Sequence, residues 1–346
     1  MQHLKVFGKQ DILALTKIRK FETKIGEQVL VVADPGNIAA SIERSTAEYI
    51  LLGIPEDIGV RANEGKGGTD TAWVHFLKNF LNIQSNDFLT GELVLALGFF
   101  DFSELSRLIE ANAFSYEEKI LAYRHAVHTI DEEVEQLIKV VTAAGKIPIV
   151  VGTGHNNAYP LIKGSAKGLH KAGLIGLAQI NAVNLDAHAG FRPVEGRHSG
   201  NAFRYAEEDG FLEKYCVIGV QENYLPQNVW LDIINNPFVD LITYEDIFVL
   251  EKRNFTQAVA HATGFTEDNY IGLELDLDVM GPIGSGMPAT GVSSVHVRQY
   301  VTFAASDSKI AFFHICEGIF SVCHGQSDCA GQLISCIVSD FIKARE

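Results

Sequence analysis

Two stretches of this sequence set an aspartate two residues before a second side chain able to hold a metal: Asp186-Ala187-His188 and Asp276-Leu277-Asp278. Each follows an apolar run. In an extended strand successive side chains alternate between faces. Asp276 and Asp278 are therefore expected to point one way while Leu275 and Leu277 point the other, and Asp186 shares a side with His188. Two carboxylates on one face at an apolar strand end repel each other and lose hydration. A bound cation resolves that cost; so does full solvation, if the strand has already ended. His155 closes a third piece, Gly152-Thr153-Gly154-His155, after the apolar Ile149-Val150-Val151. Taken singly, each piece has a plainer reading: a solvated carboxylate, or a histidine oriented by its neighbour. Taken together they offer three carboxylates and two imidazoles, a hard and borderline mixture suited to Mn²⁺, Zn²⁺ or Fe²⁺.

Such ligands have to be held by rigid elements. Short apolar runs rich in Val, Ile and Leu end in polar or glycine-rich loops at Tyr49–Gly53, Ile147–Val151, Leu177–Leu185, Tyr215–Val220, Val239–Thr243, Tyr270–Leu277 and Ile310–Ile315. They alternate only weakly, as parallel strands covered on both faces do. Amphipathic stretches lie between them. The clearest, Tyr116 to Ala144, carries Ile120, Ala126, Val127, Ile130, Val134, Leu137 and Val141 near helical spacing. Alternating strands and helices predict an α/β fold with a mostly parallel sheet, whose ligands bind beyond the carboxyl ends of the strands. The candidate residues sit at those ends. The glycine-dense loop 63–69 lacks the ending of a phosphate-binding loop and reads as an active-site rim.

With 346 residues and candidate ligands running from His155 to Asp278, one large domain over 1–346 is expected, with residues 1–45 as an N-terminal extension packed on it. The formal net charge of −15 argues against nucleic acid or an anionic membrane as partner and suits a cationic substrate. The five cysteines form no Cys-x-x-Cys pair and their number is odd, which predicts buried free thiols in a reducing compartment. The first residues have no apolar signal core and no run approaches a membrane span, so a cytoplasmic protein is expected.

In their order and spacing these motifs resemble those of the arginase–agmatinase–formimidoylglutamase family, the ureohydrolases. That family's motifs read roughly Gly-Gly-x-His, Asp-x-His-x-Asp and Asp-x-Asp-x-x-Asp-Pro. Imperfect matches stand at Gly152–His155 (Thr153 for the second glycine), Asp186–Gly190 and Asp276–Pro282. Leu51–Pro55 through Gly65 resembles the first strand and its loop, Gly284–Pro288 the loop after the last aspartate motif, and Glu317 the late glutamate. The runs Gly154–Tyr159 and Arg197–Asn201 resemble the formimidoylglutamase branch most.

The resemblance implies a three-layer α/β/α fold and two Mn²⁺ ions. One would use His155, Asp186 and Asp276; the other Asp186, His188, Asp276 and Asp278, with Asp186 and Asp276 bridging. It also implies a hydroxide, made available near neutral pH, that attacks a guanidino or formimino carbon. Asp278 would relay a proton, His198 would act as general acid or base, and Glu317 would pair with the cationic nitrogens. N-formimidoyl-glutamate is the expected substrate, placing the chain in histidine catabolism; arginine and agmatine are the alternatives. Arg192 and Asn201 are expected, from loop position, to meet substrate carboxylates. A homo-oligomer is also implied.

The sequence departs from the pattern at two positions. Gly190 stands where an aspartate completes the first metal's shell, and Gly281 where a supporting aspartate is expected. Gly190 has no side chain to offer, so weaker occupancy is predicted: one ion or none in place of two. Glu195 is a candidate replacement by proximity in the chain. A catalytically impaired member with a binding or regulatory role is the competing expectation.

Overall fold

The computed structural model describes residues 1–152, 154–281, 290–319 and 329–346. Thr153, the 282–289 loop and Cys323 lie outside the described residues. The strands are β1 (Leu4–Val6), β2 (Tyr49–Ile54), β3 (Val94–Phe100), β4 (Ile147–Gly152), β5 (Ile180–Leu185), β6 (Leu212–Val220), β7 (Val239–Thr243), β8 (Ile271–Asp276) and β9 (Ile310–Cys316). They form one sheet in the order β1-β3-β2-β4-β9-β8-β5-β6-β7. Of these strands only β1 runs antiparallel, against β3; the other strands of the sheet pair in parallel.

Strand periodicity sorts the core into two layers. Tyr49, Leu51, Ile149, Val151, Val183 and Leu185 face one way and pack with Phe76, Phe80, Val301 and Phe341. Ile50, Leu52, Val150 and Ala182 face the other and pack with Val127, Ile130, Val134 and Leu161. Helices Ala72–Phe80, Phe255–Thr266, Ser294–Asp307 and Cys329–Lys343 thus cover one face, and Tyr116–Ala143 and Ala158–Lys171 the other. This is the expected three-layer arrangement. The Tyr116–Ala143 helix begins where Ser115 Oγ accepts from Glu118 N at 3.1 Å and the Glu118 carboxylate accepts from Ser115 N at 3.1 Å, a reciprocal cap. It ends before Gly145, whose φ of 72° is the left-handed conformation a helix stop needs.

The structure differs from the sequence reading in several places. β3 was not foreseen, although Val94–Phe100 is an apolar run. Nor was β1, a three-residue edge strand too short for a periodic signal. β5 begins at Ile180, not Leu177, whose side chain is exposed. Cys216 and Cys316 are buried free thiols as expected, but Cys329 and Cys336 are exposed on the C-terminal helix. Among the described residues no helix is long and apolar enough to cross a membrane.

Candidate metal centre

The central strands β4, β9, β8 and β5 deliver the candidate ligands to one end of the sheet. β8 ends at Asp276, so Asp278 does not continue the strand as expected; it lies in the short turn Leu277–Met280. The two aspartates converge all the same. Asp276 Oδ1 accepts from Asp278 N at 2.8 Å, and Asp186 Oδ1 accepts from His188 N at 2.7 Å. Each aspartate therefore folds its own following turn with one oxygen. The other oxygens meet one imidazole: His155 Nδ1 lies 2.8 Å from Asp276 Oδ2 and 3.2 Å from Asp186 Oδ2. His188 Nδ1 lies 3.7 Å from Asp186 Oδ1 and 3.9 Å from Asp278 Oδ2.

His155 opens a turn after β4, and its backbone N–H donates to Glu317 Oε1 at 2.9 Å. Glu317 follows β9 with φ 58°, a strained conformation for a glutamate, in which the carboxylate faces the other ligands. His155, Asp186, Asp276, Asp278 and Glu317 are all buried, while His188 is half-exposed at the mouth. All six line a cavity of about 410 Å³, with Asn63, Gly65, Arg192 and Tyr224 on its walls. The loop 63–69 thus contributes to the rim, as expected.

Burial and mutual proximity shift the ionisation of these side chains. Burial and the neighbouring Asp276 and Asp278 carboxylates push Glu317 well above the usual carboxylate range. Burial and Asp186 likewise raise Asp276. Burial would raise Asp186, but hydrogen bonds to His155 and His188 prevail and hold it low. Burial would lower His155, yet Cys316, Asp186 and Asp276 together hold its imidazolium well above the ordinary value. His188 rises to about 9 despite burial, through Asp186, Asp278 and Asp276.

Gly190 has φ 60°, and a Cβ on it would lie 2.6 Å from Phe203 Cδ2. Phe203 stacks on Tyr215 with centroids 4.2 Å apart and meets His155 edge-on at 5.3 Å. Tyr215 Oη donates to Ala189 O at 2.9 Å, pinning the neighbouring backbone. The nearest atoms to that Cβ position belong to Phe203 and Tyr215. Glu195 is exposed and turned toward Arg124, Arg192 and His198.

His198 and Asn201 do not line the cavity. His198 is fully buried, with Nε2 3.2 Å from Glu195 Oε1 and Nδ1 accepting from Gly200 N at 3.1 Å. Burial and the nearby Arg192 lower it to about 4, so its ring is neutral at pH 7. Asn201 accepts from Arg197 Nη1 and His198 N, and donates to Pro193 O and Gly196 O. Its amide is spent bracing the loop. Arg197, to which the sequence reading gave no role, is 1% exposed and donates to both Asp131 oxygens at 2.9 and 3.2 Å and to Asn156 O at 2.9 Å. It ties the loop and the His155 turn to the Tyr116–Ala143 helix. An arginine between glycine and histidine in a site loop was the available signal.

The arginase family model matches residues 47–301. The chain belongs to the arginase family. Among curated arginase-family relatives, formimidoylglutamase of Geobacillus sp. is 28% identical over 301 residues, covering 84% of this chain and 81% of that protein. Formimidoylglutamase of Corynebacterium efficiens is 28% identical over 196 residues, covering 54% of this chain and 58% of that protein. Formimidoylglutamase of Bacillus subtilis superposes with a TM-score of 0.72 at 15% identity, covering 95% of this chain and 93% of that one. Formiminoglutamase of Trypanosoma cruzi with Mn²⁺ gives 0.66 at 18% identity, covering 89% and 99%. Agmatine ureohydrolase of Thermoplasma volcanium gives 0.63 at 16% identity, covering 97% of each chain. These superpositions establish a shared arginase fold.

Proposed function

We propose that this chain hydrolyses a C–N bond in a linear amidine or guanidine, with N-formimidoyl-glutamate as substrate and manganese as the metal. The observation that carries the reading is the pairing in one cavity of a buried glutamate, Glu317, with the exposed guanidinium of Arg192 at the mouth. An amidine group at one end of a substrate and a carboxylate at the other would find Glu317 and Arg192 on the walls of the same cavity. The names of the curated relatives support the same substrate.

Asp186, His188, Asp276 and Asp278 would hold one divalent ion at the mouth, where His188 Nδ1 lies 3.7 Å from Asp186 and 3.9 Å from Asp278. His155, Asp186 and Asp276, whose ligand atoms lie within 4.8 Å of one another, would hold a second, with no side chain from Gly190. When bound, such ions supply the Lewis acidity that activates water near neutral pH. The chain's own groups do the rest. Glu317 orients the cationic nitrogens, Asp278 carries a proton between water and leaving group, and Arg192 anchors the substrate's carboxylate end. His198 reaches the substrate only if its loop turns the ring inward, and Asn201 acts by holding that loop. The single continuous sheet supports reading residues 1–346 as one domain with 1–45 as its extension. A cytoplasmic homo-oligomer is the assembly we expect.

Steady-state hydrolysis of formimidoyl-glutamate, arginine and agmatine, each with Mn²⁺, tests the proposal. Turnover of formimidoyl-glutamate above the other two is the expected result. Preference for agmatine or arginine would overturn the substrate assignment, and silence on all three would overturn the hydrolase reading.

A further inference from the structure

A second polar layer lies one strand-step beneath Asp186 and Asp276. The register sets Asn184 beside Glu274, Glu274 beside His314, and Asp276 beside Cys316. Glu274 and His314 are 0% exposed and Cys316 is 1% exposed. Apolar side chains would fill this space without any desolvation penalty, so a carboxylate, an imidazole and a thiol on adjacent central strands need another reason to be there. His314 Nδ1 lies 2.6 Å from Glu274 Oε2, and His155 Nε2 lies 3.4 Å from the same oxygen. Even so, His155 Nε2, His314 Nε2 and Glu274 Oε1 are buried without a hydrogen-bond partner among the described residues. Native interiors rarely leave several such atoms unmet around one point. One ligand atom from each of His155, Glu274, His314 and Cys316 lies within 4.8 Å of the other three.

We propose that these four side chains form an inner metal site suited to zinc, which takes His155 through Nε2 in place of its Nδ1 contact with the outer aspartates. Two imidazoles, a carboxylate and a thiol make a borderline and soft donor set in a four-coordinate cage, which selects Zn²⁺ over Mn²⁺. The charges also balance. A carboxylate and a thiolate neutralise one divalent ion, so the buried cage carries no net charge. Binding forms four coordinate bonds and breaks the S–H bond of Cys316 and any N–H on the two ligating imidazole nitrogens, and these protons pass to solvent. His155 is the wall between the two chambers: Nδ1 faces the outer aspartates and Nε2 faces Glu274. The inference is independent of the substrate.

Co²⁺ substitution reads the site directly, because thiolate ligation gives a near-ultraviolet charge-transfer band that an oxygen and nitrogen site lacks. The metal-free chain titrated with Co²⁺ should develop this band. Cys316→Ser should abolish it, Glu274→Gln should weaken Zn²⁺ binding by about 10–100-fold, and Asp278→Asn should leave the band in place. Absence of the band from the unsubstituted chain at saturating Co²⁺ would overturn the inference, whether or not a variant folds. Persistence of the band in Cys316→Ser would do the same, by assigning it to another cysteine. Loss of hydrolysis with the band intact would count against the proposed function alone.

Discussion

The ring of Phe203 occupies the space into which a side chain on residue 190 would project: the Cβ would stand 2.6 Å from Phe203 Cδ2. The missing carboxylate has thus been replaced by packing, with Phe203 held between Tyr215 and His155. Gly190→Asp alone should therefore not rebuild a ligand. It should cost about 1–3 kcal/mol through overpacking and leave Mn²⁺ affinity unchanged, as measured by thermal melts and calorimetric titration. Adding Phe203→Ala opens the space, and aspartate tolerates the left-handed backbone better than most residues. The double variant should bind Mn²⁺ more tightly than the single one. A single variant with tighter binding and an unchanged melting temperature would contradict this account.

Metal loading should rise with pH. In the free chain His188 titrates near 9, raised by Asp186, Asp278 and Asp276 against the effect of burial. Below that pH it carries a proton that an incoming ion must displace. Affinity at the outer site should climb by about tenfold per pH unit for each proton released and level off above about 9. A flat profile between pH 6.5 and 8.5 would remove His188 from the ligand set.

Asp131→Asn should destabilise the fold far beyond a surface change. The substitution strips the counter-charge from Arg197, which is 1% exposed, and loss of one partner of a buried pair costs about 3–5 kcal/mol. Because Arg197 also holds Asn156 O beside His155, the loss should reach the site. Chemical denaturation measures the first effect and metal titration the second. An unchanged unfolding midpoint would mean the pair contributes nothing.

Glu317→Gln should lower kcat/KM for an amidine substrate by an amount equivalent to about 2–5 kcal/mol, the usual cost of truncating one side of a buried charge pair. Because Gln keeps an acceptor for His155 N, metal content should hold. Equal loss of metal and activity would assign Glu317 to metal retention and not to the substrate.

The sequence made the strand-end candidates legible because each follows an apolar run that a covered parallel strand explains. His155, Asp186, His188, Asp276 and Asp278 all line the cavity. It could not show that Asp276 ends its strand and caps a turn, because a period of two continues past any strand end in the residue pattern. Glu274 and His314 read as strand interior, and the residues they face come from chain segments far away in sequence. Phe203 was equally invisible, since nothing local ties an aromatic in one helix to a glycine thirteen residues earlier. His198 and Asn201 carry polar groups that suit a site, and the fold spends them on the loop that frames it.

Asp186 and Asp276 each commit one oxygen to a backbone N–H two residues on. The second oxygen of each meets His155 Nδ1, and that of Asp186 also accepts from Asn184 Nδ2 at 3.0 Å, so its direction is set before any ion arrives. The orientational entropy that floppy carboxylates would lose on chelation has already been lost during folding, alongside the sheet that holds them. Ion exchange at this end of the molecule should then proceed as substitution within a fixed frame, with the free and loaded chains sharing one backbone and differing mainly in their protons.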